Sequence, residues 1–378
     1  SKRLQRIHWL KYWETDNRGL QHCEEMFSCF LPAIQESTSL KKLDIDFPPN
    51  CGPSNLAFRN MLMHTQSLLS LTLICPGREL EGRAVATVQS GLTKNITLRE
   101  LILDLSRGAT NVYPILASLR DHPSLRRLCL CGDVGDLTEL ETLLLSDNSK
   151  ITELEIHRSP WGPPLTGLPR VLEALARRPT LTKLGLRCCR LGCDEARLLQ
   201  MVLCNIPSLQ SLDLKGSDLG SAGLTELAPA LSRNTSINML DISWNDLMDI
   251  ESAEIFREIL RSNKTMTALD LSGNRFGRTT GAVDCIAEGL GSNSSLLKID
   301  LSNCCLRDEG VSSLAQTLGS RNTTLQKLKL GWNAITSTGI GVLLEAMEHS
   351  SNSITDLELD CNLIEDEGAT LLARSLKN

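Results

Sequence analysis

Leu181-Thr-Lys-Leu184-Gly-Leu186-Arg-Cys-Cys189-Arg-Leu191 sets the frame for most of the chain. Leucine stands at the first, fourth, sixth and eleventh positions, and cysteine at the ninth. The leading three recur at Leu209/Leu212/Leu214, Ile237/Leu240/Ile242, Met266/Leu269/Leu271, Leu296/Ile299/Leu301, Leu325/Leu328/Leu330 and Ile354/Leu357/Leu359. Upstream they recur less cleanly at Leu40/Leu43/Ile45, Leu68/Leu71/Leu73, Leu98/Leu101/Leu103, Leu125/Leu128/Leu130 and Ile151/Leu154/Ile156. From Leu40 to Ile354 the twelve copies cover 314 residues in eleven steps of about 28.5.

The second and third apolar positions of each copy alternate, as a short strand with one buried face requires. The ninth residue is Asn245, Asn274, Asn333 or Asn362 in four copies and Cys189 or Cys304 in two. Such a side chain can meet backbone groups left unpaired where the strand ends, asparagine the more strongly. A helical pattern follows: Val311, Leu314, Ala315 and Leu318 fall at i, i+3, i+4 and i+7, and Ile364 to Leu376 repeats it. Each copy is therefore one strand plus one helix. Neither buries its apolar face alone, so neighbours must stack. Helices are wider than strands, and such a stack is expected to bend into a horseshoe with parallel strands inside and helices outside.

Leu269-Asp270-Leu271-Ser272-Gly273-Asn274 and Asp308-Glu309-Gly310 carry a more specific pattern, L-D-L-S-x-N followed by D-E-G. From about residue 40 to 378 the chain resembles the ribonuclease-inhibitor-type leucine-rich repeats. That resemblance implies an α/β leucine-rich repeat solenoid. The family includes nuclease inhibitors, sensor domains of nucleotide-binding immune receptors, activators of the Ran GTPase and actin regulators. It implies protein binding without naming the partner.

Residues 1–39 read as a divergent N-terminal repeat or cap, and residues 40–378 as the twelve repeats. Leu4, Ile7 and Trp9 keep the strand spacing, and a helix is expected from about 17 to 36. Trp9, Tyr12, Trp13, Phe27 and Phe30 are five of only 13 aromatic residues in the chain, a cluster suited to capping an exposed core. The pattern stops on the helix of a regular unit at Leu376, which points to a longer, intracellular parent protein of the immune-receptor kind. Four prolines between Ser159 and Pro169 argue for a projecting loop there, with Trp161 at the slot that Leu191 fills in the next copy.

A net charge of −6 argues against general nucleic-acid binding, which needs basic surface. No apolar run is long enough to span a membrane. The 14 cysteines are scattered rather than bunched at the ends, which suits a reducing cytoplasmic (or nuclear) setting. Asn95, Asn234, Asn263, Asn293 and Asn322 head N-x-S/T sequons. Each lies three residues before a strand's first apolar residue, where asparagine suits a left-handed helix end better than a glycan.

No phosphate loop, dinucleotide fingerprint or H-E-x-x-H motif is present. The six histidines show no pairing in sequence, and Cys188, Cys189, Cys193, Cys304 and Cys305 do not complete a four-ligand set. No cofactor, metal or enzymatic activity is expected. The candidate site is instead a surface. The residue between the two strand leucines is Asp213, Asp241, Asp270 and Asp300 in successive copies, and parallel strands about 4.8 Å apart would stack them into a ladder. Lys329, Asp356, Glu358 and Asp360 continue along the same face, with Lys215, Lys298 and Lys327 as partial neutralisers. Trp244 and Trp332 stand just before the ninth-position asparagine, at the lip. An acidic groove edged by tryptophan suits a basic segment of a protein partner.

Overall fold

Residues 4–9, 29–47, 52–75, 82–106, 112–160, 162, 165–348 and 353–377 are described by a computed structural model. They fall into two units, Ser1–Cys189 and Arg190–Asn378. In the first, strands β1 (Arg6–Trp9), β2 (Lys42–Asp46), β3 (Ser70–Ile74), β4 (Glu100–Leu105), β5 (Arg127–Gly132), β6 (Glu153–His157) and β7 (Lys183–Arg187) pair in parallel, each with the next. In the second, β8 (Ser211–Asp213), β9 (Met239–Asp241), β10 (Ala268–Asp270), β11 (Lys298–Asp300), β12 (Lys327–Lys329) and β13 (Asp356–Glu358) do the same. Helices alternate with the strands, so each unit is a stretch of α/β solenoid. The register stacks the repeat leucines: Leu43, Leu71, Leu101, Leu128, Leu154 and Leu184 in one unit, and Leu212, Leu240, Leu269, Ile299, Leu328 and Leu357 in the other.

The ninth residue ties the turns of the second unit together. Asn274 Oδ1 accepts from the backbone N–H of Asn245 at 2.9 Å and Leu247 at 3.3 Å. Its Nδ2 donates to the carbonyls of Ile242 at 3.0 Å and Leu271 at 2.9 Å. Asn245, Asn333 and Asn362 repeat the arrangement one unit apart, each amide satisfying the turn of the unit before it. Cys304 keeps only the donor half, with Sγ 3.4 Å from the Leu271 carbonyl, and burial pushes its thiol up. In the second unit the described strands are three residues long and the helices 10 to 14. Where the ninth residue is Ser106 or Asp133, β4 and β5 run on to six residues. Lack of the amide is not sufficient for this, since β8 and β11, with Ser217 and Cys304 in the slot, keep three. Several helices of the first unit shorten in exchange, to six residues in Tyr113–Ser118 and eight in Leu168–Leu175.

The turn is also strained. The residue before the ninth position has positive φ at Cys188, Trp244, Asn303, Trp332 and Cys361, and glycine takes the same place at Gly216 and Gly273. A bulky residue held there costs about 1 kcal/mol or more.

The sequon asparagines do not hold left-handed backbone. Asn234, Asn263 and Asn293 are extended, with φ of −65°, −74° and −90°. Their value lies in the side chain. Asn263 Oδ1 accepts from Thr265 and Met266 N–H, while Nδ2 donates to the Leu231 carbonyl of the preceding repeat at 2.9 Å. Asn95, Asn293 and Asn322 do likewise and are buried. A glycan on these nitrogens is incompatible with the fold. Other residues fill the column elsewhere: His122 Nδ1 accepts from Leu125 N–H, and Arg178 donates to the carbonyls of Leu144 and Ser149.

In the region of residues 1–39, β1 pairs with β2, and residues 29–36 are helical. Tyr12, Trp13, Phe27 and the Trp9 side chain lie outside the described residues, as does Trp161. In the proline-rich stretch, Gly167 turns with φ of 86° and a helix begins at Leu168 with proline in its first turn, where no N–H is required of it.

Candidate strand-face sites

The slot between the two strand leucines projects away from the core. In the second unit the register places Asp213 beside Asp241, Asp241 beside Asp270, and Asp270 beside Asp300. Each Oδ1 also caps its own turn, accepting from the N–H two residues on: Lys215 at 3.2 Å, Ser243 at 3.0 Å, and Ser272 and Ser302 at 2.9 Å. The aspartates thus have a structural task that needs only one carboxylate oxygen. Among the described residues, no ion pair reaches Asp241 or Asp270. Burial first, and then the neighbouring carboxylates of Asp241 and Asp300, raise the Asp270 carboxyl above its ordinary range, although its bonds to Ser272 pull the other way.

A raised carboxyl weakens the fold as pH climbs through it. Asp270→Asn keeps the oxygen that accepts from Ser272 and removes the charge. It is expected to stabilise the second unit at pH 7 by a few tenths to about 1 kcal/mol. The gain should shrink as pH falls through the carboxylate range, which paired thermal melts at neutral and acid pH would follow.

Lys329 closes the ladder. Its Nζ lies 3.7 Å from Asp300 and 2.7 Å from Glu358, and Lys327 Nζ lies 2.6 Å from Glu358. These two lysines bring the Glu358 carboxyl down to about 2. Lys327 therefore serves Glu358 rather than the aspartates. Asp356 and Asp360 are exposed beside this cluster. Trp244 and Trp332 are 47% and 62% exposed, both at positive φ. A Cβ on Gly273 would lie 2.5 Å from the Trp244 ring, so that glycine serves both its own turn and the tryptophan above it. Trp332 borders a cavity of about 340 Å³ lined also by Gly277, Arg278, Cys305, Arg307 and Asn333. The lip at Trp332 is thus basic, through Arg278 and Arg307, which the expected acidic groove edged by tryptophan does not include.

The first unit carries a second cluster that the sequence reading missed. Glu155, nearly buried, meets Arg127 Nη2 at 2.8 Å, Lys183 Nζ at 2.8 Å and His157 Nε2 at 3.1 Å. Burial alone would raise its carboxyl, but these three contacts hold it well below the usual carboxylate range. Gly185 opposite leaves room for it, since a Cβ there would lie 3.1 Å from Glu155 Cγ. Cys129 Sγ is 3.5 Å from Cys131 Sγ, which is 3.7 Å from His157 Nδ1. Contact with Cys129, against the effect of burial, and the bond to His157 bring the Cys131 thiol down to about 6. His157 is lifted to about 9: burial opposes this, and Cys131 and Glu155 overcome it. The histidines show no pairing by sequence spacing, but the fold brings His157 to Cys131. The sequence did hold the signal, because aligning Leu128/Leu130 with Leu154/Ile156 sets Cys129 beside Glu155 and Cys131 beside His157.

Comparison with known proteins matches a Leucine Rich repeat family model to residues 205–228, 262–279, 292–315, 321–344 and 350–373. The chain is 28% identical over 303 residues to a ribonuclease inhibitor of Sus scrofa, covering 77% of this chain and 64% of that protein. It is 27% identical over 302 residues to NACHT, LRR and PYD domains-containing protein 5 of Homo sapiens, covering 75% of this chain and 24% of that one. A 27% identity over 327 residues links it to capping protein, Arp2/3 and myosin-I linker protein 3 of Rattus norvegicus, covering 81% of this chain and 23% of the relative. The chain thus spans under two thirds of the first of these relatives and about a quarter of the others. Among the described residues, no helix is long and apolar enough to cross a membrane.

Proposed function

We propose that this chain, which belongs to the ribonuclease-inhibitor-type leucine-rich repeat proteins, is a non-enzymatic scaffold that binds a basic segment of a protein partner on the strand face of its second unit. The observation that carries this is the line Asp213, Asp241, Asp270 and Asp300, whose central members have no cation within ion-pair distance among the described residues. Trp244 and Trp332 support it. Large exposed rings at strained turn positions are what a binding lip requires, and the repeat accepts glycine there at no strain. The arginines beside Trp332 add that the segment carries an acidic or aromatic side chain at that end. Lys329, Glu358 and Asp360 set the boundary of the acidic stretch.

The reading extends to context. The similarity to NACHT, LRR and PYD proteins supports a recognition region within a larger protein, with residues 1–39 as its divergent first repeat or cap. The scatter of the 14 cysteines through the repeats, rather than at the two ends, supports a cytoplasmic setting. The similarity to a ribonuclease inhibitor supports a narrower second reading, in which the basic partner is a nuclease and the chain regulates an enzyme.

The test replaces all four ladder aspartates by asparagine, which preserves each turn cap. Binding to an array of lysine- and arginine-rich peptides, and capture of partners from lysate, are compared with the wild type. The variant is expected to lose at least about tenfold in affinity, and the wild type to weaken steeply with salt. Trp244→Ala should cost a further 2 kcal/mol or so if the ring is an anchor. Equal capture by wild type and variant would return the aspartates to turn capping alone. A ribonuclease assay with added chain decides the narrower reading, which predicts inhibition.

A further inference from the structure

We propose that Cys129, Cys131 and His157 form a zinc-binding site on the strand face of the first unit, with Glu155 as the residue that orients the histidine. The three ligand atoms lie within 4.8 Å of one another. Tetrahedral zinc with Zn–S near 2.3 Å and Zn–N near 2.0 Å requires S···S of roughly 3.8 Å and S···N of roughly 3.6 Å. The observed Cys129–Cys131 and Cys131–His157 separations are 3.5 and 3.7 Å, close to these values. The third pair, Cys129 and His157, lies within 4.8 Å, so the entering metal draws that pair together. Residues 129 and 131 are two apart on β5 and point to the same face. His157 is the register partner of Cys131 on β6, so two adjacent strands of the stacked sheet hold the set in place.

The outer contact is the one metal sites use. A ligating histidine donates its other ring N–H to a carboxylate. His157 Nε2 lies 3.1 Å from Glu155, within ion-pair distance though not aligned for a hydrogen bond, while Nδ1 faces the thiol, so a small turn of the ring completes the contact. Glu155 is itself fixed by Arg127 and Lys183. Two thiolates neutralise a divalent ion, so the nearby arginines do not repel the filled site. Three protein ligands leave a fourth position, and His157 and Cys131 are only partly buried. A water or a ligand from solvent completes the tetrahedron, the arrangement of an open rather than a closed site. Sulfur and imidazole donors favour zinc over magnesium or calcium, which take oxygen.

The experiment titrates the reduced, metal-free full chain with cobalt(II). The expected result is a thiolate-to-cobalt charge-transfer band and the intense visible bands of tetrahedral cobalt, saturating at one equivalent and abolished by zinc. Cys129→Ser and Cys131→Ser should each remove the charge-transfer intensity of a sulfur. Cys204→Ser, in the second unit, should leave the spectrum unchanged. Glu155→Gln should weaken zinc binding about 10- to 100-fold. Should the serine variants misfold, His157→Ala supplies the same test from the partly exposed edge of the cluster. The proposal is overturned if the wild type gives no charge-transfer band, if the band survives in the Cys129→Ser/Cys131→Ser double variant, or if the two sulfurs prove to be joined to each other.

Discussion

Asn274→Ala is expected to destabilise the second unit by about 3–5 kcal/mol. The side chain is fully buried, and its loss removes four hydrogen bonds at once. Each contributes about 1 kcal/mol net, and a buried backbone group left unpaired costs about 1–3 kcal/mol. Partial relaxation of the turn keeps the total below the simple sum. Because the bonds reach into the preceding repeat, the loss should appear in amide exchange at Asn245 and Leu247 as well as around residue 274. Asn274→Cys should fall between alanine and wild type, since Cys304 keeps one such donor contact in the same slot. Urea unfolding of the three proteins ranks them. An alanine variant within about 1 kcal/mol of wild type would show that water substitutes for the amide.

His122 gives the second large effect, this time in pH. It stands in the column that asparagine fills in other repeats, with Nδ1 accepting from Ser124 and Leu125 N–H. Burial pushes its pKa down to about 4, so the folded ring is neutral and carries its proton on Nε2. A proton arriving on Nδ1 would face two N–H donors. The unfolded chain takes that proton near pH 6.5. The native state therefore binds fewer protons between about 6.5 and 4, and stability falls as pH drops through that window. A shift of this size corresponds to about 3 kcal/mol in full. His122→Asn should supply the same acceptor without titrating. The variant should thus be progressively more stable than wild type from pH 6.5 downward, with the difference levelling off below pH 4. Parallel acid-dependent profiles would show that His122 does not titrate in this way.

How far the sequence could be read depends on what each position does. The strand leucines, the ninth-position asparagines and the helix at 307–320 were legible because a solenoid imposes the same burial on every copy, so period alone locates them. The aspartate ladder was legible for the same reason. The function of the sequon asparagines was misjudged, because a left-handed backbone and a side-chain amide bridge select the same residue type. The pairing of Lys329 with Glu358, and the arginines at Trp332, depend on side-chain reach across the register and have no signature in the repeat. Cys131 and His157 are 26 residues apart on neighbouring strands, a distance that conveys nothing until the irregular repeats are laid on the frame of the regular ones.

The asparagine column also gives the array a direction. The amide of one repeat holds the turn before it, and that turn contains backbone in a sparsely populated conformation at Trp244, Asp246 or Trp332. Detaching a repeat frees the strained turn on its lower-numbered side, whereas its own turn stays clasped by the repeat above. Under mechanical load the stretches clasped by Asn245 and Asn274, and by Asn333 and Asn362, should therefore peel from their higher-numbered repeats, each step loosening the next. The pattern breaks at Cys304, which keeps only the donor contact. Such an array behaves as a ratcheted strip, and its weak end under tension is set by which neighbour supplies the amide.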